Sequence, residues 1–279
     1  MSPAPGEAGR LVVCPTPIGN LEDVTLRVLR ALAEADVVAC EDTRRTRTLL
    51  ERHDIRARLV SFHEHNEDAR AAELTQRMRR GAVVALVADA GTPLVADPGF
   101  VLLAEALRAG IDVEVLPGPS AVITALVASG LPADRWRFVG FLPRGREALL
   151  AIVGGARETI VAFESPRRLL HTLELLAERE AERALAVCRE LTKLHEDVRR
   201  GRADDLATHF RAHPARGEIV LVIGAAVAAA DDGAAQDAVS ALEALVSAGA
   251  RPRAAAAALA KLTGVGANQL YRGLTRRGG

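Results

Sequence analysis

The chain is poor in the residues that build the most easily read sites. Among its 279 residues are three cysteines. Cys14, Cys40 and Cys188 are far apart and form no CxxC pair, so neither a zinc site nor a disulfide framework is expected. Two of them end apolar runs, where a small buried thiol is the ordinary occupant. Aromatic residues make up 3% of the chain, which leaves the core to Val, Leu, Ile and Ala. Lysine is nearly absent. Only Lys193 and Lys261 stand among 36 basic residues, and with so much alanine this reads as compositional bias. The formal net charge is zero, which excludes a global basic field and turns attention to local charge. No apolar run approaches ~18 residues and no signal-like stretch follows Met1, so a cytoplasmic chain without a membrane span is expected. No GxGxxG follows the first apolar run and no GxxxxGK[ST] occurs anywhere, which excludes the ordinary Rossmann and P-loop sites. Ser120 lacks the GxSxG setting of a hydrolase nucleophile and reads as a helix cap.

What the chain does have is alternation. Beyond a loose start (Met1 to Gly9), apolar runs at 11–14, 37–40, 59–62, 83–87 and 113–116 alternate with helical stretches at 26–33, 69–80, 100–108 and 121–128. Gly81, Gly110 and Gly130 close three of these helices. Short strands alternating with helices predict a parallel α/β sheet over residues 10–131. A second α/β unit over 135–224 is expected from strands at 136–141, 159–163, 184–188 and 219–223 and helices at 146–153, 166–179 and 203–212, with 197–202 as a short antiparallel strand and turn. Residues 225–236 are of low complexity and read as a linker. A helical tail over 237–277 has no acid after Glu243 and carries Arg251, Arg253, Lys261, Arg272, Arg276 and Arg277, a local charge of +6. Its Gly264-Val265-Gly266 turn resembles a helix-turn-helix. The tail reads as a solvated basic cap or as a phosphate-contacting module.

Ligands of a parallel sheet sit beyond the carboxyl ends of its strands. There the sequence places Pro15 to Asn20, Glu41 to Thr46, His63 to Glu67, Asp89 to Gly99 and Pro117 to Ser120. All five loops carry polar or backbone-shaping residues, rich in Pro, Gly and small side chains rather than Lys. Such loops expose backbone groups to a ligand at low entropic cost and suit a neutral or cationic adenosine-type ligand better than a triphosphate. His63 and His65 could pair on a metal, but no third ligand of obvious spacing follows. A hydrogen-bonding or substrate role is the other reading, and no metal is expected. Arg44, Arg45 and Arg47 read as a solvated helix face or as a polyanion contact.

Taken together, PTPIGNLEDVTLR, CEDTRRT, FHEHNE, VADAGTPLVADPG and LPGPSAVITALVASGLP resemble the bacterial 16S rRNA cytidine 2′-O-methyltransferases, a branch of the tetrapyrrole-methylase superfamily. GFLPR, FESPRRLL, RELTKLHE and GEIVLVI follow in the same order, and the likeness covers roughly residues 11–277. One departure is Ala88, where a serine is expected. The resemblance implies two α/β domains of the class III methyltransferase fold and a small C-terminal helical domain. It implies S-adenosylmethionine (SAM) bound in the cleft between the α/β domains, a homodimer, and a cytidine of 16S rRNA as substrate, within the 30S subunit. Neither DNA nor a membrane is an expected partner. By position, SAM contacts would come from Pro17, from Ala88, Asp89, Ala90, Gly91 and Thr92, from Leu94, Val95 and Ala96, and from Ser120 and Ala121. The second domain would add Phe163, Leu191, Gly217, Glu218 and Ile219.

A 2′-hydroxyl is a weak nucleophile, so a base should assist it. Asp89 and His63 rank first, ahead of Glu41, Asp42, His65 and Asp97, although an Asp before Ala-Gly-Thr is also a common turn-maker. Arg44, Arg45, Arg251, Arg253 and Arg272 would hold phosphates. Two alternatives remain, a small-molecule methylase of the same superfamily and an RNA-binding assembly factor without catalysis.

Overall fold

The fold is that of a computed structural model, which describes residues 9–226, 232–263, 266–267, 270–271 and 273–274. The chain forms two compact units, Met1–Gly224 and Ala225–Gly279.

The first unit is α/β and holds two five-stranded sheets. One contains β1 (Arg10–Cys14), β2 (Val37–Cys40), β3 (Leu59–Ser61), β4 (Val83–Val87) and β5 (Asp112–Val115). Their order is β3-β2-β4-β1-β5, and every pairing is parallel. The connecting helices are α1 (Leu26–Glu34), α2 (Thr43–Arg52), α3 (Glu67–Arg79), α4 (Phe100–Arg108) and α5 (Ala121–Ser129). Side chains alternate across a strand, so an apolar run with no polar member must be covered twice. Leu11, Val13, Val84 and Leu86 pack with Leu74 and Leu102 on one face. Val12, Cys14, Ala85 and Val87 pack with Val28, Leu32 and Leu49 on the other.

The second sheet contains β6 (Trp136–Phe141), β7 (Thr159–Glu164), β8 (Ala184–Arg189), β9 (Asp197–Arg202) and β10 (Ile219–Ile223). Its order is β6-β7-β10-β8-β9, with β6 and β7 parallel and the other pairings antiparallel. Helices α6 (Arg146–Val153), α7 (Pro166–Glu180) and α8 (Ala203–Ala212) cover one face. The other face packs on α5, where Val161, Ala186, Cys188 and Val222 meet Val122, Ala125 and Leu126. One helix of the first sheet therefore joins both layers, and its amino end points into the space between them.

Arg183 is wholly buried. It donates to the carbonyls of Val153 at 2.6 Å and Gly224 at 2.8 Å, and pairs with Glu180 at 3.0 Å. This ties the ends of α6, α7 and β10 together.

Three elements depart from expectation. Helix α3 begins at Glu67, two residues early, because Glu67 and Asp68 suit the positive end of a helix. Strand β9 is a full six-residue partner of β8 rather than a strand and turn. Helix α9 (Asp232–Ser247) begins inside the stretch read as linker, since Ala and Gln there are good helix formers. It packs with α10 (Pro252–Thr263) around Leu242, Ala256 and Leu270. Residues 1–8 and 227–231, and Gly264 and Val265 of the expected turn, lie outside the described residues. Among the described residues, no helix is long and apolar enough to cross a membrane.

Candidate functional site

Strand β1 lies between β4 and β5, so three loops leave adjacent strand ends together. They are tied to one another. Thr16 and Gly91 exchange two backbone hydrogen bonds of 2.9 Å. The Thr16 hydroxyl donates to the Ala88 carbonyl at 3.0 Å, and the Thr92 hydroxyl to the Pro119 carbonyl at 3.1 Å. Gly91 sits at φ +77°, a left-handed conformation in which a side chain is strained. Ser120 caps α5, accepting the Ile123 N–H at 3.5 Å.

The second sheet supplies the facing wall, through Phe141 and Phe163 near the ends of β6 and β7, Cys188 of β8, Leu191, and Gly217 to Val220 leading into β10. Loops and wall enclose a cavity of about 420 Å³, within the range of small-molecule sites. Phe163 packs against Phe138 and Phe141 with ring centroids 5.0 and 5.4 Å apart. Three of the chain's six phenylalanines thus gather at one wall. Leu94, Ala96, Glu190 and Thr192, four of the five described non-glycine residues with positive φ, lie on loops that build the cleft. Strain of this kind costs about 1–3 kcal/mol per residue and concentrates at binding sites. A second cavity of about 340 Å³ adjoins the first. Ile18, Arg45, Asp89, Ala90 and Glu218 belong to both.

The cleft is acidic at its rim. One Asp89 oxygen accepts the Asp42 backbone N–H at 2.9 Å, and the other lies 3.6 Å from Arg45, so this carboxylate holds a turn. Asp97 differs. Burial, and then the charges of Glu41 and Asp89, push its carboxyl up to about 6. Burial and Asp89 also raise Glu41. Asp42 is held down at about 2 by its hydrogen bonds with Arg44. Glu164 is buried but satisfied, accepting from the Ser165 N–H at 2.7 Å, the Thr172 hydroxyl at 2.7 Å and Arg168 at 3.3 Å. All three cysteines are buried and free. Burial pushes the Cys188 thiol at the cleft wall up to about 11, so it is protonated at neutral pH.

Of the expected cofactor contacts, Asp89 to Thr92, Val95, Ala96, Ser120, Ala121, Phe163, Leu191 and Gly217 to Ile219 line the larger cavity. Pro17 and Ala88 line the smaller. Leu94 lines neither, its side chain lying beside Gly99. Of the six candidate bases, Asp89 and Asp97 reach the larger cavity, while Glu41, Asp42, His63 and His65 line neither. His63 and His65 lie edge to face, with centroids 5.8 Å apart. Among the described residues, no cluster of three metal-ligating groups exists. Arg45 stands between the two cavities, and Arg44 is exposed beside Asp42. Arg251 and Arg253 are exposed in the second unit, and Arg272 lies outside the described residues.

Sequence reasoning missed Phe141, Glu164 and Cys188, although each is the last or next-to-last residue of a strand, so the strand-end rule applied to the second sheet finds them. It also missed Lys193 in the smaller cavity, whose signal is its rarity.

Residues 10–207 match the family model of the tetrapyrrole (corrin/porphyrin) methylases. A Mesorhizobium japonicum protein named ribosomal RNA small subunit methyltransferase I is 46% identical over 95% of this chain and 90% of its own length. A Thermotoga maritima protein of the same name is 44% identical over 77% of this chain and 98% of its own length. Among solved structures, a uroporphyrin-III C-methyltransferase of Thermus thermophilus shares the fold, with a TM-score of 0.55 and 29% identity over 78% of this chain and 96% of its own. A structure of that name complexed with S-adenosyl homocysteine matches at a TM-score of 0.55 and 22% identity, over 78% and 99%.

Proposed function

Because the chain belongs to the tetrapyrrole-methylase family, and within it to the ribosomal RNA small subunit methyltransferases I, with SAM as cofactor, we propose that it methylates the 2′-hydroxyl of a cytidine in the decoding region of 16S rRNA. It does so on the 30S subunit and as a homodimer. The observation that carries this reading is the 46% identity to a relative of that name over 95% of the chain. The choice of cytidine and of its ribose rests on the resemblance of the strand-end loops.

The larger cavity fits the cofactor by size, by its aromatic wall and by charge. Asp97 and Asp89 face one another's field in a partly desolvated cleft, and a cationic ligand relieves that repulsion. Phe163 and Phe141 offer a flat apolar surface to an adenine. Backbone groups of the Asp89–Ala96 loop and the capped start of α5 would hold the rest. When bound, the cofactor supplies an electrophilic methyl group on sulfur. The chain's part is to hold the acceptor oxygen in line and to remove its proton. Asp97 is the carboxylate suited to take that proton, since it lines the larger cavity and burial raises its proton affinity. Asp89, anchored by Asp42 and Arg45, positions the loop.

The reading is tested by offering the purified protein and tritiated SAM to 30S subunits, free 16S rRNA and uroporphyrinogen. Label in 16S rRNA at a ribose is expected. Label in the tetrapyrrole alone would overturn it in favour of small-molecule methylation, and SAM binding with no label anywhere would favour a non-catalytic assembly factor.

A further inference from the structure

We infer that the smaller cavity, between α2 and the Leu191–Lys193 segment, is the seat of the methyl acceptor and takes one ribose-phosphate unit of an RNA strand. This rests on the proposal that the protein methylates RNA.

The cavity shares Ile18, Arg45, Asp89, Ala90 and Glu218 with the cofactor cleft, so an occupant lies beside that cleft. Its lining includes three threonines, Thr16, Thr46 and Thr48. Thr16 donates to the Ala88 carbonyl at 3.0 Å, Thr46 to the Asp42 carbonyl at 3.3 Å and Thr48 to the Arg44 carbonyl at 3.1 Å. With their protons spent on the backbone, these oxygens present lone pairs alone. An occupant must bring donors, as sugar hydroxyls do.

Two cations flank these acceptors. Arg45 comes from the first turn of α2, where Arg44 also stands. Cations at the amino end of a helix oppose its dipole, so these two cost helix stability where an outside anion would offset the cost. Lys193 comes from the opposite side. It is one of two lysines in a chain that otherwise uses arginine. Its ammonium is fixed between Glu190 at 2.9 Å and Glu218 at 3.1 Å. The segment that carries it is strained, with Glu190 at φ +52° and Thr192 at φ +65°. It is also pressed against Gly19, where an added Cβ would lie 2.5 Å from the Lys193 side chain and 2.8 Å from the Leu191 carbonyl. A ribonucleotide combines hydroxyl donors with a phosphate, and its 2′-hydroxyl distinguishes it from DNA. A tetrapyrrole has pyrrole N–H groups within its ring and carboxylates at its rim, but no hydroxyl set beside a phosphate.

The test uses the full-length protein, 30S subunits and SAM, with cofactor affinity measured by calorimetry beside methylation rates over a range of 30S concentrations. Thr48→Trp fills the smaller cavity. It is expected to lower methylation at least a hundredfold while the Kd for SAM changes less than twofold. Lys193→Met is expected to raise the KM for 30S about tenfold, the size of one lost charged contact, with Lys193→Arg restoring most of it. Unaltered methylation by Thr48→Trp, or an unaltered KM in Lys193→Met, would overturn the assignment while leaving RNA methylation intact. Loss of SAM affinity in Lys193→Met would also overturn it, by making the cavity part of the cofactor site. If the wild-type protein labels only uroporphyrinogen, RNA methylation itself fails and the ribonucleotide occupant with it.

Discussion

Asp97 shows how one side chain is set apart from its neighbours. Asp42, Asp89 and Asp97 all follow strands of the first sheet, yet each has a different fate. Asp42 is hydrogen-bonded to Arg44 and held at about 2. Asp89 accepts a backbone N–H. Asp97 is pushed up to about 6. Replacing it with Asn should remove an acid limb near pH 6 from the kcat/KM profile, because activity that needs the ionised form rises with pH through that value. A profile unchanged in Asp97→Asn would move the proton elsewhere. The same shift has a stability consequence. A carboxyl whose folded value exceeds its unfolded value near 4 binds its proton more tightly when folded, so stability falls as pH rises from about 4 to about 6. Asp97→Asn should therefore melt above the wild type at pH 8, with the gap closing toward pH 4, as thermal scans at the two pH values would record. Little of this was legible in the sequence. The loop identified Asp89 and Asp97 as candidates, and both line the larger cavity, but their different surroundings were not visible in the spacing. Which carboxylate meets a backbone N–H and which is left partly desolvated depends on β2 lying beside β4, a neighbour relation that spacing does not encode. His63 shows the same limit. It follows a strand of the correct sheet, yet β3 is the edge strand, and His63 lines neither cavity.

At the scale of elements, the first sheet was readable because its strands are short apolar-rich runs and three of its five strand-end loops carry Pro or Gly. Parallel direction followed from the intervening helices. The second sheet offered no such rule. Its strands and helices were found, but β9 and β10 run opposite to β6, β7 and β8, so β10 presents its beginning to the cleft while β6, β7 and β8 present their ends. The contact between the sheets depends on Gly19, which lies against the backbone of Leu191 and the side chains of Thr192 and Lys193, with the Thr192 hydroxyl accepting the Asn20 N–H at 3.1 Å. Gly19→Val cannot be accommodated without moving one segment off the other. It should destabilise the chain by about 1–3 kcal/mol, as overpacking does, and weaken SAM binding together with methylation. Calorimetry that finds wild-type SAM affinity in this variant would show that the two segments are not coupled to the cleft.

For the whole molecule, the informative number is coverage. The Thermotoga relative is matched over 98% of its length by 77% of this chain, and the first compact unit ends at Gly224, where the buried Arg183 holds the last carbonyl. That relative's length is thus close to that of the first unit. Truncation after Gly224 should leave SAM affinity within twofold and the melting of the α/β unit intact. It should also weaken binding to 30S subunits and flatten its dependence on salt, since exposed Arg251 and Arg253 are lost with the rest of the basic tail. A truncated protein that no longer binds SAM would instead make the tail a structural cap.

The burial of all three thiols has a practical consequence. Cys14, Cys40 and Cys188 are shielded and protonated at neutral pH, with Cys14 pushed up to about 12. Maleimide dyes should pass the native chain by. A single cysteine placed on the exposed face of α2 would then report on rRNA docking by fluorescence, with no need to strip the native cysteines first.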